Sequence, residues 1–232
     1  MSLDVDTRKA LEELTTATIT TVLLKKGLRN VWIRGGRSLH PEPSRVVGPA
    51  FTLRFVPGRE DLATPESLAS PTSTRFAIED MPEGCIAVAD AHGIGDAGIF
   101  GDILCARMVK RGVAALVTDG TIRDLEGVRR TGLPVWCSGI SAPPSVAHLT
   151  FVGWQESIGC GGVAVMPHDI LVADQDGAVV IPQAFLDLIL AEGAEQERME
   201  AWIVEQVNSG AVLPGLYPMN AETKARYAAS KK

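Results

Sequence analysis

Two residue pairs in the middle of the chain carry side chains suited to binding a metal ion and an anion. They are Gly101-Asp102 and Arg123-Asp124, and 20 residues separate Asp102 from Arg123. Carboxylates, together with water, suit a hard divalent cation such as Mg²⁺ or Mn²⁺. A guanidinium is the usual bidentate partner of a substrate carboxylate. If the two pairs meet in space, they can therefore hold a cation beside an anionic small molecule.

The segments around these pairs alternate between strand and helix patterns. Arg107, Lys110 and Arg111 fall on one stripe at helical spacing, and Gly112 is a natural helix stop. The predicted order is strand 85–90, helix 102–111, strand 113–119, helix 124–132 and strand 133–137. This alternation predicts right-handed βαβ crossovers and a parallel sheet.

A parallel sheet of this kind brings the two pairs to the same edge. Ligands collect beyond the carboxyl ends of the strands, where helix N-termini point their free N–H groups. Gly101-Asp102 enters one helix after the first strand, and Arg123-Asp124 enters the next helix after the second strand. One helix plus one strand uses about this number of residues, so we expect the pairs to converge.

Each of these residues also has a purely structural interpretation. An aspartate at a helix start is a favoured N-cap, which contributes about 1 kcal/mol and complements the helix dipole. Arg123 can form a structural ion pair with either acid. Two acids and an arginine at one sheet edge, beside a glycine-rich loop, favour a functional site instead.

The glycine-rich loop itself matches a second motif. "GIGDAG" (93–98) follows a strand, and Asp119 comes about twenty residues later, as in a dinucleotide-binding unit. However, its glycines precede the helix start by several residues, and Asp96 stands where a pyrophosphate would bind. We therefore place this interpretation well behind the metal site.

Composition limits the function classes. The chain has 232 residues, of which 46% are hydrophobic and 22% charged, as in a soluble α/β protein. Its net charge of −6 argues against binding nucleic acid, which needs clustered cationic side chains. The four cysteines are widely separated, which predicts reduced core positions and a cytoplasmic location. The N-terminus lacks a signal-peptide pattern and no stretch approaches 18 apolar residues, so we expect no membrane association.

The outer segments complete one predicted domain over residues 1–232. A helix is predicted over 6–26, within an N-terminal segment 1–27, and a strand over 46–55. Residues 57–72 look irregular, with a short helix around 73–80. Two or three strands are predicted within 161–182, and a helix from about Gln183 to Asn208 opens a C-terminal helix and tail, 183–232.

Several of these stretches resemble one known family. It joins the regulator of ribonuclease E activity A (RraA) to the class II pyruvate aldolases that act on 4-hydroxy-4-methyl-2-oxoglutarate and 4-carboxy-4-hydroxy-2-oxoadipate. The matching pieces are "GIGDAGIFGD", "GVAALVTDGTIRD", "GLPVW" and "GGVAVMPHDILVADQDGAVVIP". The resemblance implies an α/β swivelling-domain (β/β/α) fold with a parallel βαβ core and a C-terminal helix. It also implies homotrimers or homohexamers with sites between subunits.

Carried over to this sequence, the resemblance assigns roles to the two pairs. Asp124 would ligate Mg²⁺ or Mn²⁺, and Asp102 would support the metal directly or through water. Arg123 would hold the substrate and offset the charge of a developing enolate. Backbone N–H groups would bind the substrate carboxylate around Gly101, Ile103 and Leu104.

The implied activity is a class II retro-aldolase that cleaves a 4-hydroxy-2-oxo acid to pyruvate, with oxaloacetate decarboxylation as a companion reaction. The branches of the family that only regulate a ribonuclease tend to lack the acid after the arginine, and this chain keeps Asp124. The general base is unassigned, with Asp102 through a water ahead of His92. Two alternatives stay open: a non-catalytic regulator that binds a ribonuclease or another protein, and a lyase for a sugar-derived 2-keto-3-deoxy acid.

Two departures from the family pattern and one family residue without an assigned counterpart bear on these roles. His168 stands where the family commonly has glycine, between Pro167 and Asp169. The segment 137–155 is unfamiliar and is predicted to shape the substrate end of the site. The aldolases also use an acid from a neighbouring subunit's C-terminal region, for which the candidates here are Glu195, Glu197 and Glu200.

Overall fold

The structure, a computed structural model, describes residues 3–231. Its helices are α1 (Val5–Glu12), α2 (Thr16–Lys25), α3 (Thr74–Asp80), α4 (Asp102–Lys110), α5 (Leu125–Thr131), α6 (Leu186–Asn208) and α7 (Ala221–Ser230). Its strands are β1 (Trp32–Ile33), β2 (Arg37–Ser38), β3 (Val46–Pro57), β4 (Ile86–Asp90), β5 (Ala115–Thr118), β6 (Thr121–Ile122), β7 (Val135–Cys137), β8 (Gly139–Ile140), β9 (Leu149–Trp154), β10 (Ile170–Asp174) and β11 (Gly177–Ile181). Short 3₁₀ helices lie at Pro65–Ala69, Ser145–Ala147, Cys160–Gly162 and Gln183–Phe185.

The centre of the sheet is parallel, as the alternating pattern predicts. Strands β3, β4, β5 and β7 are neighbours in that order and run in the same direction. Helix α3 connects the first two of these strands, α4 the next two and α5 the last two. The carboxyl ends of β4 and β5 therefore lie side by side, and the loops that lead into α4 and α5 leave from the same edge.

The sheet is antiparallel on the other side of β3. Strands β10 and β11 form a hairpin, β10 pairs antiparallel with β3, and β9 also pairs antiparallel with β3. Only two residues separate Asp174 from Gly177, which is a hairpin connection and far too short for a parallel crossover. The predicted parallel sheet is thus correct for the core and incomplete for the edges.

Alternating residues of the parallel strands enter two different cores. In β4, Ala87 and Ala89 pack against the face covered by α3, α4 and α5. Ile86 and Val88 point to the opposite face, into a second core beneath the segment 158–165. Because both faces are covered, β4 and β5 are apolar up to their last residues, Asp90 and Thr118, which explains their clear signal in the sequence.

The single helix predicted over residues 6–26 is wrong, because the chain forms α1 and α2 with a break between them. Thr15 caps α2: its Oγ1 accepts a hydrogen bond from the Thr18 N–H at 3.0 Å. The Thr15 N–H and hydroxyl both donate to Glu197, at 2.7 and 2.9 Å. Threonine side chains compete with the helix for backbone hydrogen bonds, and here capping prevails. Residues 1 and 2 of the predicted N-terminal segment lie outside the described residues.

The C-terminal tail contains a helix that the sequence reasoning did not predict. Helix α7 packs back on α6, with the rings of Trp202 and Tyr227 5.4 Å apart. The Tyr227 hydroxyl donates to Glu195 at 3.1 Å. Across residues 3–231, no helix combines the length and the apolar character needed to cross a membrane.

The buried cysteines lead to a first testable prediction. All four are free and buried, and burial raises the pKa of the Cys85 and Cys105 thiols to about 12. A thiol with a raised pKa stays protonated and unreactive at pH 8. We expect a disulfide reagent such as DTNB to label no thiol of the native protein within minutes, and all four after denaturation. Rapid labelling of the native protein would contradict these buried positions.

Candidate active site

Backbone contacts hold together the loops that lead into α4 and α5. The Ile99 N–H donates to the Thr121 carbonyl at 2.9 Å, and the Arg123 N–H donates to the Phe100 carbonyl at 2.9 Å. Gly98 permits this approach, since a Cβ at this position would lie 2.7 Å from the Arg123 Cβ. The two residue pairs are therefore adjacent, as their spacing in the sequence predicts.

Asp124 occupies the N-cap position of α5 without acting as a cap. Its φ of 54° and ψ of 45° lie in the left-handed region, and its side chain makes no capping hydrogen bond. Its Oδ2 instead accepts a hydrogen bond from the Arg123 Nε at 3.1 Å. The left-handed conformation costs about 1–2 kcal/mol for a residue with a side chain, although aspartate is among those that tolerate it. The helix-cap interpretation therefore does not explain Asp124.

Two glycines make room for the two carboxylates. A Cβ on Gly101 would lie 2.4 Å from Asp124 Oδ2, and a Cβ on Gly127 would lie 2.5 Å from Asp102 Oδ2. Gly101 is the N-cap of α4, and Gly127 is in the first turn of α5. Each carboxylate thus lies against the backbone at the start of the other helix, and Gly127 is a site residue that the sequence reasoning missed.

Substituting Gly101 with alanine tests this close approach. The φ of Gly101 is −121°, so alanine brings no backbone strain, and only its methyl group disturbs the site. We expect Gly101→Ala to stay folded and to lose about tenfold in kcat/KM for the metal-dependent activity that the family resemblance implies, because the methyl group displaces the Asp124 carboxylate by a fraction of an ångström. The matched control is Gly95→Ala, where a Cβ would meet nothing within 4 Å. Equal activity of the two variants would argue against a role for this carboxylate.

The start of α4 presents backbone donors to the same region. The first hydrogen bond of the helix runs from the Cys105 N–H to the Gly101 carbonyl at 3.0 Å. The Ile103 N–H donates to Asp102 Oδ1 at 2.7 Å. Within the described part of the chain, the N–H groups of Asp102 and Leu104 form no hydrogen bond. Unpaired N–H groups at a helix start bind anions well.

These residues border one open cavity of about 350 Å³. Gly101, Asp102, Ile103, Leu104, Arg123 and Asp124 all line it. The Arg123 and Asp124 side chains are 37% and 43% exposed, so the ion pair between them is open to solvent and not sealed in the core. The volume lies at the small end of the range of ligand-binding pockets.

The cavity wall also contains residues that sequence reasoning did not assign to the site. Leu68, Thr74 and Arg75 come from the 3₁₀ turn and helix that precede β4, and Pro144 and Ser145 come from the unfamiliar segment 137–155. The positions of Pro144 and Ser145 agree with the prediction that segment 137–155 shapes the substrate end of the site. No sequence motif surrounds Arg75. It reaches the cavity because α3 packs beside α4.

The two carboxylates fit Mg²⁺ or Mn²⁺. Within residues 3–231, no group of three or more His, Cys, Asp or Glu side chains is arranged to hold a metal ion. A cation here would rely on Asp102 and Asp124, each seated in a space that only glycine leaves open. Mg²⁺ is commonly bound by one or two carboxylates while water and substrate fill the other positions, whereas structural Zn²⁺ needs four protein ligands. The donor set therefore matches a hard cation that keeps open positions for substrate.

The glycine-rich loop does not have the geometry of a dinucleotide site. Helix α4 begins at Asp102, well after the glycines of 93–98. The Asp119 carboxylate accepts backbone hydrogen bonds from Ala91, Gly93 and Gly161, at 2.8, 3.1 and 3.0 Å. It is thus occupied in holding the loop and has no free face for a ribose.

The other candidate residues lie away from the cavity. Neither His92 nor His168 is among the residues that line it, and the His92 ring bonds to the Phe55 carbonyl at 2.9 Å. Within its own chain, Glu195 pairs with Arg198 at 3.0 Å and Glu197 accepts from Thr15. Whether Glu195, Glu197 or Glu200 completes a neighbouring subunit's site stays a prediction, as do the trimer and the hexamer.

Comparison with known sequences identifies relatives over most of the chain. The family model described as "RraA-like: Aldolase/RraA" matches residues 15–180. A Halalkalibacterium halodurans protein named "Putative 4-hydroxy-4-methyl-2-oxoglutarate aldolase" is 31% identical over 67% of this chain and 69% of its own length. Protein DlpA of Legionella pneumophila is 28% identical over 73% of this chain, a match that spans only 26% of that longer relative.

Comparison with solved structures leads to the same family. The Streptomyces coelicolor protein RraAS2, described as an unusual member of the RNase ES inhibitor RraA protein family, superposes with a TM-score of 0.78. It is 32% identical to this chain, and the match covers 87% of this chain and 97% of RraAS2. The α/β architecture, the order of the motifs and the extent of the family match lead to one conclusion. This chain belongs to the RraA-like family.

Proposed function

We propose that this protein is a divalent-metal-dependent carbon–carbon lyase, a class II retro-aldolase that cleaves a 4-hydroxy-2-oxo acid into pyruvate and a second oxo compound. The observation that carries the proposal is the convergence of Arg123, Asp102 and Asp124 on one solvent-open cavity of about 350 Å³. Relatives that carry a provisional aldolase name support the same reaction class.

Arg123 and the backbone N–H groups at the start of α4 bind the pyruvyl end of the substrate. The Arg123 guanidinium donates hydrogen bonds from its planar fork to the carboxylate and offsets the negative charge that develops on the enolate. The N–H groups of Asp102 and Leu104 donate to the same carboxylate from the start of α4. Asp124 would hold the Mg²⁺ or Mn²⁺ directly, and Asp102 would support the ion through a water molecule. When bound, this ion supplies Lewis-acid polarisation of the 2-oxo group.

Bond cleavage then needs a base and a proton donor. Asp102, acting through a water molecule, removes the proton of the C4 hydroxyl, and the electron pair of the C3–C4 bond moves into the enolate of pyruvate. The C4 fragment leaves as an aldehyde or ketone. C3 then takes up the proton that Asp102 removed, returned through the same water molecule, to give pyruvate. Arg123 stays within contact of the enolate throughout, which lowers the barrier for the charged intermediate.

The cavity lining also bears on two related reactions, Schiff-base catalysis and oxaloacetate decarboxylation. No lysine among residues 3–231 lines the cavity, so the proposal contains no Schiff base. Oxaloacetate decarboxylation passes through the same enolate and uses the same protein groups, so we expect it as a companion activity.

A pyruvate-release assay tests the proposal directly. Purified protein is incubated with 4-hydroxy-2-oxoglutarate, 4-hydroxy-4-methyl-2-oxoglutarate or a 2-keto-3-deoxy sugar acid, and pyruvate is measured with lactate dehydrogenase and NADH. We expect release in Mg²⁺ or Mn²⁺, loss in EDTA and recovery when the metal is restored. An absence of pyruvate from every substrate, or release that EDTA does not affect, would reject the metal-dependent lyase.

A second candidate is a regulator that binds a ribonuclease and performs no chemistry. The similarity to RraAS2, at 32% identity over 97% of that chain, favours it specifically. The retention of Asp124, in a conformation that no helix cap explains, favours the enzyme. The two candidates separate in one experiment, because a regulator inhibits ribonuclease cleavage of RNA while failing the pyruvate assay.

A further inference from the structure

We propose that Arg75 binds an anionic group at the far end of the substrate and selects dicarboxylic over monocarboxylic 2-oxo acids. This inference rests on the proposed function, because it names the class of substrate that the same cavity accepts. Arg75 is the second residue of α3 and lines the cavity together with Arg123 and Asp102.

The first support is that Arg75 has no partner of its own. Within the part of the chain that the structure describes, its guanidinium forms no ion pair and no hydrogen bond. The neighbouring cations of the same region are occupied: Arg107 pairs with Glu79 at 2.6 Å, and Arg111 donates to the Met81 carbonyl at 2.8 Å. Arg75 is thus an exposed guanidinium at the wall of a cavity, available to a ligand.

The second support is the charge of the cavity. Arg75, Arg123, Asp102 and Asp124 are its charged lining residues, and their formal charges cancel. A divalent cation on the two carboxylates leaves the cavity with two positive charges. A dicarboxylate neutralises both, whereas a monocarboxylate leaves one uncompensated. Charge complementarity of this kind governs selection between ligands of the same shape.

The third support is that the two guanidiniums differ in their surroundings. Arg123 is tied to Asp124 and follows the loop that carries the proposed metal ligand, so it belongs with the pyruvyl end. Arg75 comes from α3, an element that contributes no carboxylate to the cavity, and it is accompanied there by Leu68 and Thr74. The structure therefore assigns the far end of the substrate to α3.

A binding measurement tests Arg75 without relying on turnover. Two stable probes of equal chain length are used in Mg²⁺: 2-oxoglutarate, which has a second carboxylate, and 2-oxopentanoate, which has a methyl group in its place. We expect calorimetry to give about tenfold tighter binding of 2-oxoglutarate by the wild type, the range expected for one charge-assisted hydrogen bond. In Arg75→Gln the preference should fall to near equality through weaker binding of 2-oxoglutarate alone, and Arg75→Lys should restore part of it.

The matched control is Arg107→Gln, which removes a guanidinium of α4 that pairs with Glu79 and does not line the cavity. It should keep the wild-type preference. An unchanged preference in Arg75→Gln, equal weakening of both probes, or a wild type that binds the two probes equally or not at all would each overturn the assignment.

Cleavage assays on a second matched pair separate this inference from the proposed function. They compare pyruvate release from 4-hydroxy-2-oxoglutarate and 4-hydroxy-2-oxopentanoate. A wild type that cleaves neither compound but keeps an Arg75-dependent binding preference would reject the lyase and retain the role of Arg75. A wild type that cleaves both, with no Arg75-dependent difference in kcat/KM, would retain the lyase and reject the role of Arg75.

Discussion

Asp124→Asn is expected to reduce Mg²⁺-dependent pyruvate release by about a thousandfold or more, which corresponds to ~4 kcal/mol of lost transition-state stabilisation. Asparagine has nearly the same shape as aspartate but lacks the negative charge that a hard cation requires. It also tolerates the left-handed conformation that Asp124 adopts at φ 54°. The loss should therefore reflect the missing charge, with the melting temperature and the circular dichroism spectrum close to those of the wild type.

Asp124→Ala makes a useful second variant. It removes the same charge but adds a backbone cost of about 1–2 kcal/mol in the left-handed region. We expect it to match Asp124→Asn in activity and to melt at a lower temperature.

The control for both variants is Glu126→Gln, in the first turn of the same helix, where the side chain is 88% exposed and pairs with Arg130. Its kcat/KM should stay within twofold of the wild type. Normal turnover in Asp124→Asn would remove this carboxylate from the reaction.

Arg123→Lys is expected to have the second-largest effect, a loss of about a hundredfold in kcat/KM. The expected split is about tenfold in KM and about tenfold in kcat, because Arg123 is assigned both to substrate binding and to the charge of the enolate. Lysine keeps a positive charge but replaces the planar fork, whose Nε bonds to Asp124 at 3.1 Å, with a single ammonium group.

The kinetic measurement uses steady-state pyruvate release at saturating Mg²⁺, and Arg130→Lys is the control. Arg130 is exposed on α5, pairs with Glu126 at 2.5 Å and does not line the cavity. If Arg123→Lys changed KM alone, Arg123 would bind ground state and transition state equally and would have no part in stabilising the enolate. Unchanged kinetics would remove it from the site.

The parts of the fold that could be predicted from sequence are those in which local patterns and tertiary packing agree. Strands β4 and β5 are buried on both faces, so their apolar runs are continuous and their ends are marked by turn residues. The spacing between Asp102 and Arg123 then follows from chain geometry, since α4 and β5 consume the residues between them. The N-terminal break was missed because Thr15 can be a helix residue or a cap, and its contact with Glu197 on α6 decides between them.

The candidate site likewise has some features that the sequence predicts and others that depend on tertiary packing. The sequence by itself determined the family resemblance, the parallel core and the three charged residues Asp102, Arg123 and Asp124. Each of these residues stands where a helix begins after a buried strand, a position that local patterns mark. Only the tertiary structure decided that Asp124 adopts a left-handed conformation against Gly101, that Gly127 makes room for Asp102, and that Arg75 joins the cavity. These contacts join segments far apart in the chain, and their geometry depends on how helices pack side by side, a property that no local periodicity encodes.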